Sequence, residues 1–161
     1  MTVEEYNKAV DNHADNLYRF VLKNLGDTHF SRDIVQETFE KLWVKLESVS
    51  SLKVKTYLFT AAYHTMIDYI RKKKRYSGEE AENREELSDT ICYTDLQEVI
   101  ERAVANLPED QKAVVMLRDY EGYSYREISE ITGLNESQVK VYIYRARVYL
   151  KNYIGSMEKV I

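Results

Sequence analysis

A chain of 161 residues, 44% hydrophobic and 31% charged, has room for one ordinary domain or two small ones with packed cores. One proline and five glycines favour long uninterrupted helices, and a lone cysteine excludes an internal disulfide or a multi-cysteine metal site. The net charge of −4 is poor for a protein that binds DNA unaided, so either a basic surface is local or a partner supplies most of any nucleic-acid affinity. The polar start MTVEEYNKAV and the lack of any apolar run near about twenty residues predict no signal peptide, no membrane insertion and a cytoplasmic protein.

In chain order, Glu4 to about Leu25 reads as a helix, or a broken pair, that buries Val10, Ala14, Leu17, Tyr18, Val21 and Leu22. Gly26 ends it. Ser31 is the N-cap candidate for a second helix, Arg32 to Leu46, with Ile34, Val35, Thr38, Phe39, Leu42 and Leu46 inward. On its other side Asp33, Gln36, Glu37 and Glu40 fall at helical spacing on one acidic face, which suits either solvent or a basic partner. A long helix from about Val54 to Tyr76 buries Leu58, Phe59, Ala62, Met66, Ile67 and Ile70. Its polar face carries His64, Asp68, Arg71, Lys72 and Arg75 and ends in the run RKKKR at 71–75. Cations beside Tyr57, Tyr63, Tyr69 and Tyr76 suit backbone phosphates and unstacked bases as well as a solvated helix end.

From Ser77 to Asp95 the composition turns acidic and poor in apolar residues, a linker signature that divides the chain into domains of about 1–76 and 95–161. Cys92 falls within it, next to its polar part, and is expected to be partly buried and unreactive. Asp95 opens a helix through Leu96, Val99, Ile100, Ala103 and Val104 that stops before Leu107. Another begins at Pro108 and ends near Glu121 and Gly122, burying Ala113, Val114, Met116 and Leu117. Tyr125 to Ile131 and Glu136 to about Leu150 are two helices joined at Gly133, with Asn135 as N-cap of the second. The second buries Val139, Ile143, Ala146 and Leu150. It exposes Ser137, Gln138, Lys140, Tyr144, Arg145 and Arg147, the polar-then-cationic order of a helix that reads base edges and grips phosphates. The last ten or so residues read as a frayed end or tail.

Three segments in this order resemble the bacterial sigma-70 family, in particular its small extracytoplasmic-function group. DIVQETFEKLW (33–43) resembles the polymerase-docking helix, and TYLFTAAYHTMIDYIRKKKR (56–75) the helix that melts the promoter and reads its minus-ten element. The segment 107–150, which ends in YREISEITGLNESQVKVYIYRARVYL, resembles the domain that reads the minus-thirty-five element. The resemblance implies an all-α protein of two small helical domains, 1–76 and 95–161, joined by the linker 77–94. It implies core RNA polymerase and promoter DNA as partners, and an anti-sigma factor as a further candidate. It implies no catalysis, no cofactor, no metal and no small-molecule substrate.

By the same resemblance Asp33, Gln36, Glu37 and Glu40 would dock on polymerase, and the polymerase would supply the affinity that a charge of −4 withholds. Arg71, Lys72, Lys74 and Arg75 would hold phosphates of the non-template strand, with Tyr57, His64 and Asp68 near its extruded bases. Ser137, Gln138, Lys140, Val141, Tyr144 and Arg145 would enter the upstream major groove. The chain departs from the family in four places. Tyr57 stands where Trp is common, His64 where Asn is common, Ser129 where Ala is common and Tyr142 where Arg is frequent. A rival reading is a sigma-like regulator that binds duplex DNA as a dimer without polymerase. The acidic face at 33–40 and the RKKKR helix weigh against it, since such a protein needs neither. A helical enzyme lacks any catalytic set, phosphate loop or metal-ligand spacing.

Overall fold

The computed structural model describes residues 1–77 and 96–160, and all the regular structure in them is helical. The acidic connection expected over 77–94, apart from Ser77, lies outside the described residues, as do Cys92 and Asp95. The first three helices are α1 (Val3–Leu25), α2 (Thr28–Val44) and α3 (Val54–Ser77). After the acidic connection come α4 (Leu96–Ala105), α5 (Glu109–Val115), α6 (Tyr125–Thr132) and α7 (Glu136–Val160).

Local chemistry sets the helix ends. Thr2 and Glu5 form a reciprocal capping box at the start of α1, with N–H to oxygen distances of 3.1 and 2.9 Å. Gly26 stops α1 with φ at 72° and donates its N–H to the Leu22 carbonyl at 2.7 Å. Asp27, rather than Ser31, then caps α2 by accepting from the Phe30 N–H at 3.1 Å, so the helix starts a turn earlier than the periodicity predicts. Ser31 is fully buried inside α2 and donates its hydroxyl to the Asp27 carbonyl at 2.6 Å. A serine that satisfies itself on the preceding turn needs no cap role. Leu46, read as part of the helix, lies just past its end. The helix of α5 widens at Met116–Tyr120 into a π-helical turn, which the periodicity does not reveal. The helix α7 continues through the segment read as a tail, as far as Val160.

The helices α1, α2 and α3 pack on one another, and α4, α5 and α6 pack on α7. The hydrophobic clusters of the two sets are continuous, running from Leu17, Phe20 and Phe59 to Met116, Ile128 and Ile143. Each such side chain, at full burial, contributes on the order of 1.5–3 kcal/mol. The two sets meet along a seam where α6 lies on α3. There the Tyr123 ring sits edge-on to Phe59, with centroids 5.6 Å apart, and Lys55 Nζ lies 5.0 Å from its centroid. Burial, aided by the Glu121 and Glu127 carboxylates, pushes the Tyr123 hydroxyl far above the usual phenol range. That hydroxyl is buried with no hydrogen-bond partner among the described residues. Arg19 Nη2 pairs with Glu121 Oε2 at 3.2 Å, and the Glu121 side chain is only 3% exposed. Lys112, 2% exposed, reaches the Asn24 carbonyl at 3.4 Å.

No helix among the described residues is long and apolar enough to cross a membrane. Ser124 and Glu127 form a second capping box at the start of α6, with distances of 3.1 and 3.0 Å. Hydrogen bonds from the Ser124 backbone N–H, and next from its hydroxyl, hold the Glu127 carboxyl below the usual carboxylate range. Ser124→Ala should therefore cost about 1 kcal/mol, read as a fall in Tm of roughly 2–4 °C in thermal unfolding followed by circular dichroism. An unchanged Tm would show that the box adds nothing to the stability of α6.

Candidate nucleic-acid interface

The acidic face of α2 is fully formed. Asp33, Gln36, Glu37 and Glu40 are all exposed, while Ile34, Thr38, Phe39 and Leu42 of the same helix are buried behind them. The Gln36 amide donates to Glu40 at 3.3 Å, and His29 Nε2 lies 3.6 Å from Asp33 Oδ2. These are loose surface contacts that leave the carboxylates available to a basic partner. The face forms one wall of an open groove of about 570 Å³ whose other wall is α3, contributing Thr65, Asp68, Tyr69 and Lys72. The acidic residues and the start of the cationic stretch thus share one concavity.

On α3, Tyr57, His64, Asp68, Arg71 and Arg75 step by seven, four, three and four residues and so share one side of the helix. All but the half-buried Tyr57 are exposed. Lys72 stands at the edge of this stripe, in the groove. Lys74, the other cation assigned to phosphates, is turned away from it. Its Nζ pairs with Glu109 Oε2 at 2.8 Å, across the seam. The four tyrosines read as interleaved with the cations divide by role. Tyr63 is buried at 7% exposure, Tyr69 stacks on Phe30 with centroids 4.6 Å apart, and Tyr76 is 91% exposed. Of the four, Tyr57 alone shares the stripe with the cations.

The paired helices α6 and α7 turn through Gly133, whose φ of 80° is the left-handed backbone a side chain disfavours. The linking turn is fastened by the Ser129 hydroxyl, which donates to the Leu134 carbonyl, and by the Leu134 N–H, which donates to Thr132 Oγ1 at 3.3 Å. Ser129 in place of the commoner Ala is therefore a residue with a bond of its own. Asn135 and Gln138 cap α7 reciprocally: the Gln138 N–H donates to Asn135 Oδ1 at 2.8 Å, and the Asn135 N–H to Gln138 Oε1 at 3.0 Å. Val139, Ile143 and Ala146 anchor α7 in the core. Ser137, Gln138, Lys140, Val141, Tyr144 and Arg145 all project outward, with Tyr144 70% and Val141 43% exposed.

The structure adds Arg118 and Asp119, which the sequence pattern did not single out. The Arg118 guanidinium lies 4.5 Å from the centroid of the Tyr125 ring, and Lys140 Nζ lies 5.7 Å from the same ring. Arg147 is held by Asp119 at 2.6 and 3.4 Å, and that hydrogen-bonded carboxylate raises its pKa. The π-helical turn carries Arg118 and Asp119 toward α6 and α7, so three cations converge on one aromatic ring. No period in the sequence relates 118, 125, 140 and 147.

Comparison with known proteins agrees on both parts of the chain. Residues 9–76 match the family description "Sigma-70 region 2" and residues 97–150 match "Sigma-70, region 4". The ECF RNA polymerase sigma factor SigM of Bacillus subtilis is 29% identical over 158 residues, which cover 94% of each chain. The RNA polymerase sigma factor SigV of the same organism is 32% identical over 143 residues, covering 86% of this chain and 84% of its own. Among solved structures, the sigma factor RpoE in complex with the anti-sigma factor NepR from Bartonella quintana shares the fold, with a TM-score of 0.75. It has 23% identity over 94% of this chain and 98% of that one.

Proposed function

The chain belongs to the extracytoplasmic-function group of the sigma-70 family of RNA polymerase sigma factors, and on that premise we propose how its surfaces direct polymerase to promoters. Residues 1–76 form the unit that docks on core polymerase and opens the DNA, residues 77–94 link, and residues 95–161 read the upstream duplex. Asp33, Gln36, Glu37 and Glu40 meet a basic surface of the polymerase. Arg71, Lys72 and Arg75 hold phosphates of the displaced strand, with Tyr57, His64 and Asp68 beside its extruded bases. Lys74 joins them once it is released from Glu109. Ser137, Gln138, Lys140, Val141, Tyr144 and Arg145 enter the major groove at the minus-thirty-five element.

The observation that carries this reading is the groove shared by α2 and α3, because one wall is the acidic face and the other leads into the cationic stripe. A polymerase bound to the first wall delivers the opened strand to the second. Binding and positioning suffice for this work, so the chain catalyses no reaction and acts in the cytoplasm where polymerase and chromosome are. An anti-sigma protein is a further partner of the kind seen with RpoE. Core polymerase should co-purify with the tagged chain, and the reconstituted complex should give discrete run-off transcripts from genomic fragments. Tight, sequence-specific duplex binding by the isolated chain, with no association with polymerase, would overturn the reading.

A further inference from the structure

Arg147 stands where a phosphate contact is expected. It shares one side of α7 with Lys140 and Tyr144, at steps of four and three residues. It lies about 10 Å beyond Lys140 along the axis, the part of a groove-entering helix that meets the DNA backbone. Its hydrogen bonds go elsewhere. Nη2 and Nε lie 2.6 and 3.4 Å from the two carboxylate oxygens of Asp119, a two-pronged pairing of guanidinium and carboxylate. That carboxylate is the main cause of the raised Arg147 pKa, and the Tyr125 hydroxyl is a lesser hydrogen-bond partner.

Asp119 reaches this position through the π-helical turn. The Glu121 N–H donates to the Met116 carbonyl, five residues back, at 3.1 Å. The turn therefore holds one residue more than an α-helical one, and the side chains within it shift round the axis. Met116 and Leu117 stay buried, while Asp119 is exposed on the side that faces Arg147. The turn also packs against α6, and α6 against α7. Asp119, Arg147 and Tyr125 thus link the π-helical turn, the middle of α7 and the first residue of α6.

Stability does not account for the pair. Its side chains are 41% and 49% exposed, and ion pairs so open to water add little. Nor does the pair suit a phosphate, because the carboxylate repels what the guanidinium attracts. What it fixes is orientation, since a planar fork held at both prongs has one direction. Resting on the function proposed above, we propose that Asp119 and Arg147 are positioning residues for recognition of the upstream duplex. Arg147 holds no phosphate. Bound to Asp119, it ties the π-helical turn and the start of α6 to α7, and so sets the angle at which Gln138, Lys140 and Arg145 meet the groove.

The test uses the full-length chain assembled with core polymerase. Its affinity for a promoter duplex is measured over a range of salt concentrations, with a duplex whose upstream element is scrambled as control. Asp119→Ala should weaken binding about tenfold, as the loss of a base contact would, and leave the salt slope unchanged. A carboxylate that merely masked a phosphate ligand would act in the opposite direction, its loss tightening binding and steepening the slope by about one unit. Arg147→Lys keeps the charge that a phosphate needs and lacks the planar fork. It should therefore bind as weakly as Arg147→Ala. Exchanging the two, Asp119→Arg with Arg147→Asp, rebuilds the pair in reverse and should recover most of the loss. On the scrambled duplex all these chains should bind as wild type does.

Arg147→Lys that binds as wild type overturns the positioning role, and so does an Asp119→Ala chain that binds as wild type or more tightly. An exchanged pair that recovers nothing overturns the pairing. Circular dichroism should show every variant folded and melting within a few degrees of wild type. Should Asp119→Ala lose helical content, Arg147→Lys decides. A wild-type complex that binds both duplexes equally would instead count against the function proposed above, whatever the variants do.

Discussion

Replacing Gln36 and Glu37 together with lysine should lower affinity for core polymerase by about 100-fold. The change adds two cations and removes one carboxylate on the face proposed to meet basic protein. Charge pairs at such interfaces couple by about 1.5–7 kcal/mol, and about 2.7 kcal/mol corresponds to a 100-fold change. Neither side chain packs in the core: both are exposed, and Gln36 donates a 3.3 Å surface bond to Glu40. Stability should therefore stay within about 0.5 kcal/mol of wild type. Competition for core polymerase against a labelled wild-type chain reads the affinity, and circular dichroism reads the fold. Equal competition by a folded double variant would mean that polymerase docks elsewhere.

The second large effect separates the two helices proposed to read DNA. Arg145→Ala should reduce recruitment to promoters with an intact upstream duplex, and strand opening should survive on a template melted beforehand. A base-reading contact contributes about 1–3 kcal/mol of discrimination, a loss of roughly 5- to 150-fold at the positions it reads. The Arg71→Ala, Lys72→Ala double variant should do the reverse, sparing upstream recruitment and leaving the thymines near the start site paired. Permanganate reactivity on intact and pre-melted promoters distinguishes these results. If both variants fail alike on the pre-melted template, the division of labour between α3 and α7 is wrong.

The reading of the sequence succeeded where a side chain's environment is set by its own helix. Of the inward stripe read on α7, Val139, Ile143 and Ala146 follow from spacing alone and are buried as expected, while Leu150 is half-buried. So do the exposed acids of α2, because Asp33, Glu37 and Glu40 on one side of a helix cannot turn inward without carrying their charges with them. It failed where the partner comes from a distant part of the chain. Lys74 reads as one more cation in RKKKR, and nothing local marks Glu109 as its partner 35 residues on. Tyr63 reads as an aromatic beside cations and is instead packed into the core, where burial raises the pKa of its hydroxyl. Lys112 and Glu121 look like surface residues by type, and their burial depends on helices from the other end of the sequence. The choice of Asp27 over Ser31 as cap of α2 failed for a subtler reason. Both are good caps by residue type, and the choice falls to the one whose side chain is not already bonded within the helix.

The cap on α7 has a bearing on which bases the chain can read. The carboxamide oxygen of Gln138 faces backward onto the Asn135 N–H, and since that backbone group is a donor, the atom it meets must be the oxygen. In the proposed complex the amide nitrogen is the end left to face the groove. Glutamine pairs with adenine by presenting both ends of its amide to N6 and N7 at once, and here one end is already engaged. On the proposed reading Gln138, while it keeps this cap, offers the groove its amide N–H donors, suited to guanine O6 or N7 or to thymine O4, rather than the two-ended pairing with adenine. In a selection from randomised upstream elements, the base opposite Gln138 should be guanine or thymine. Recovery of adenine there would mean that the glutamine gives up its cap on binding, and that the start of α7 is remade on the DNA.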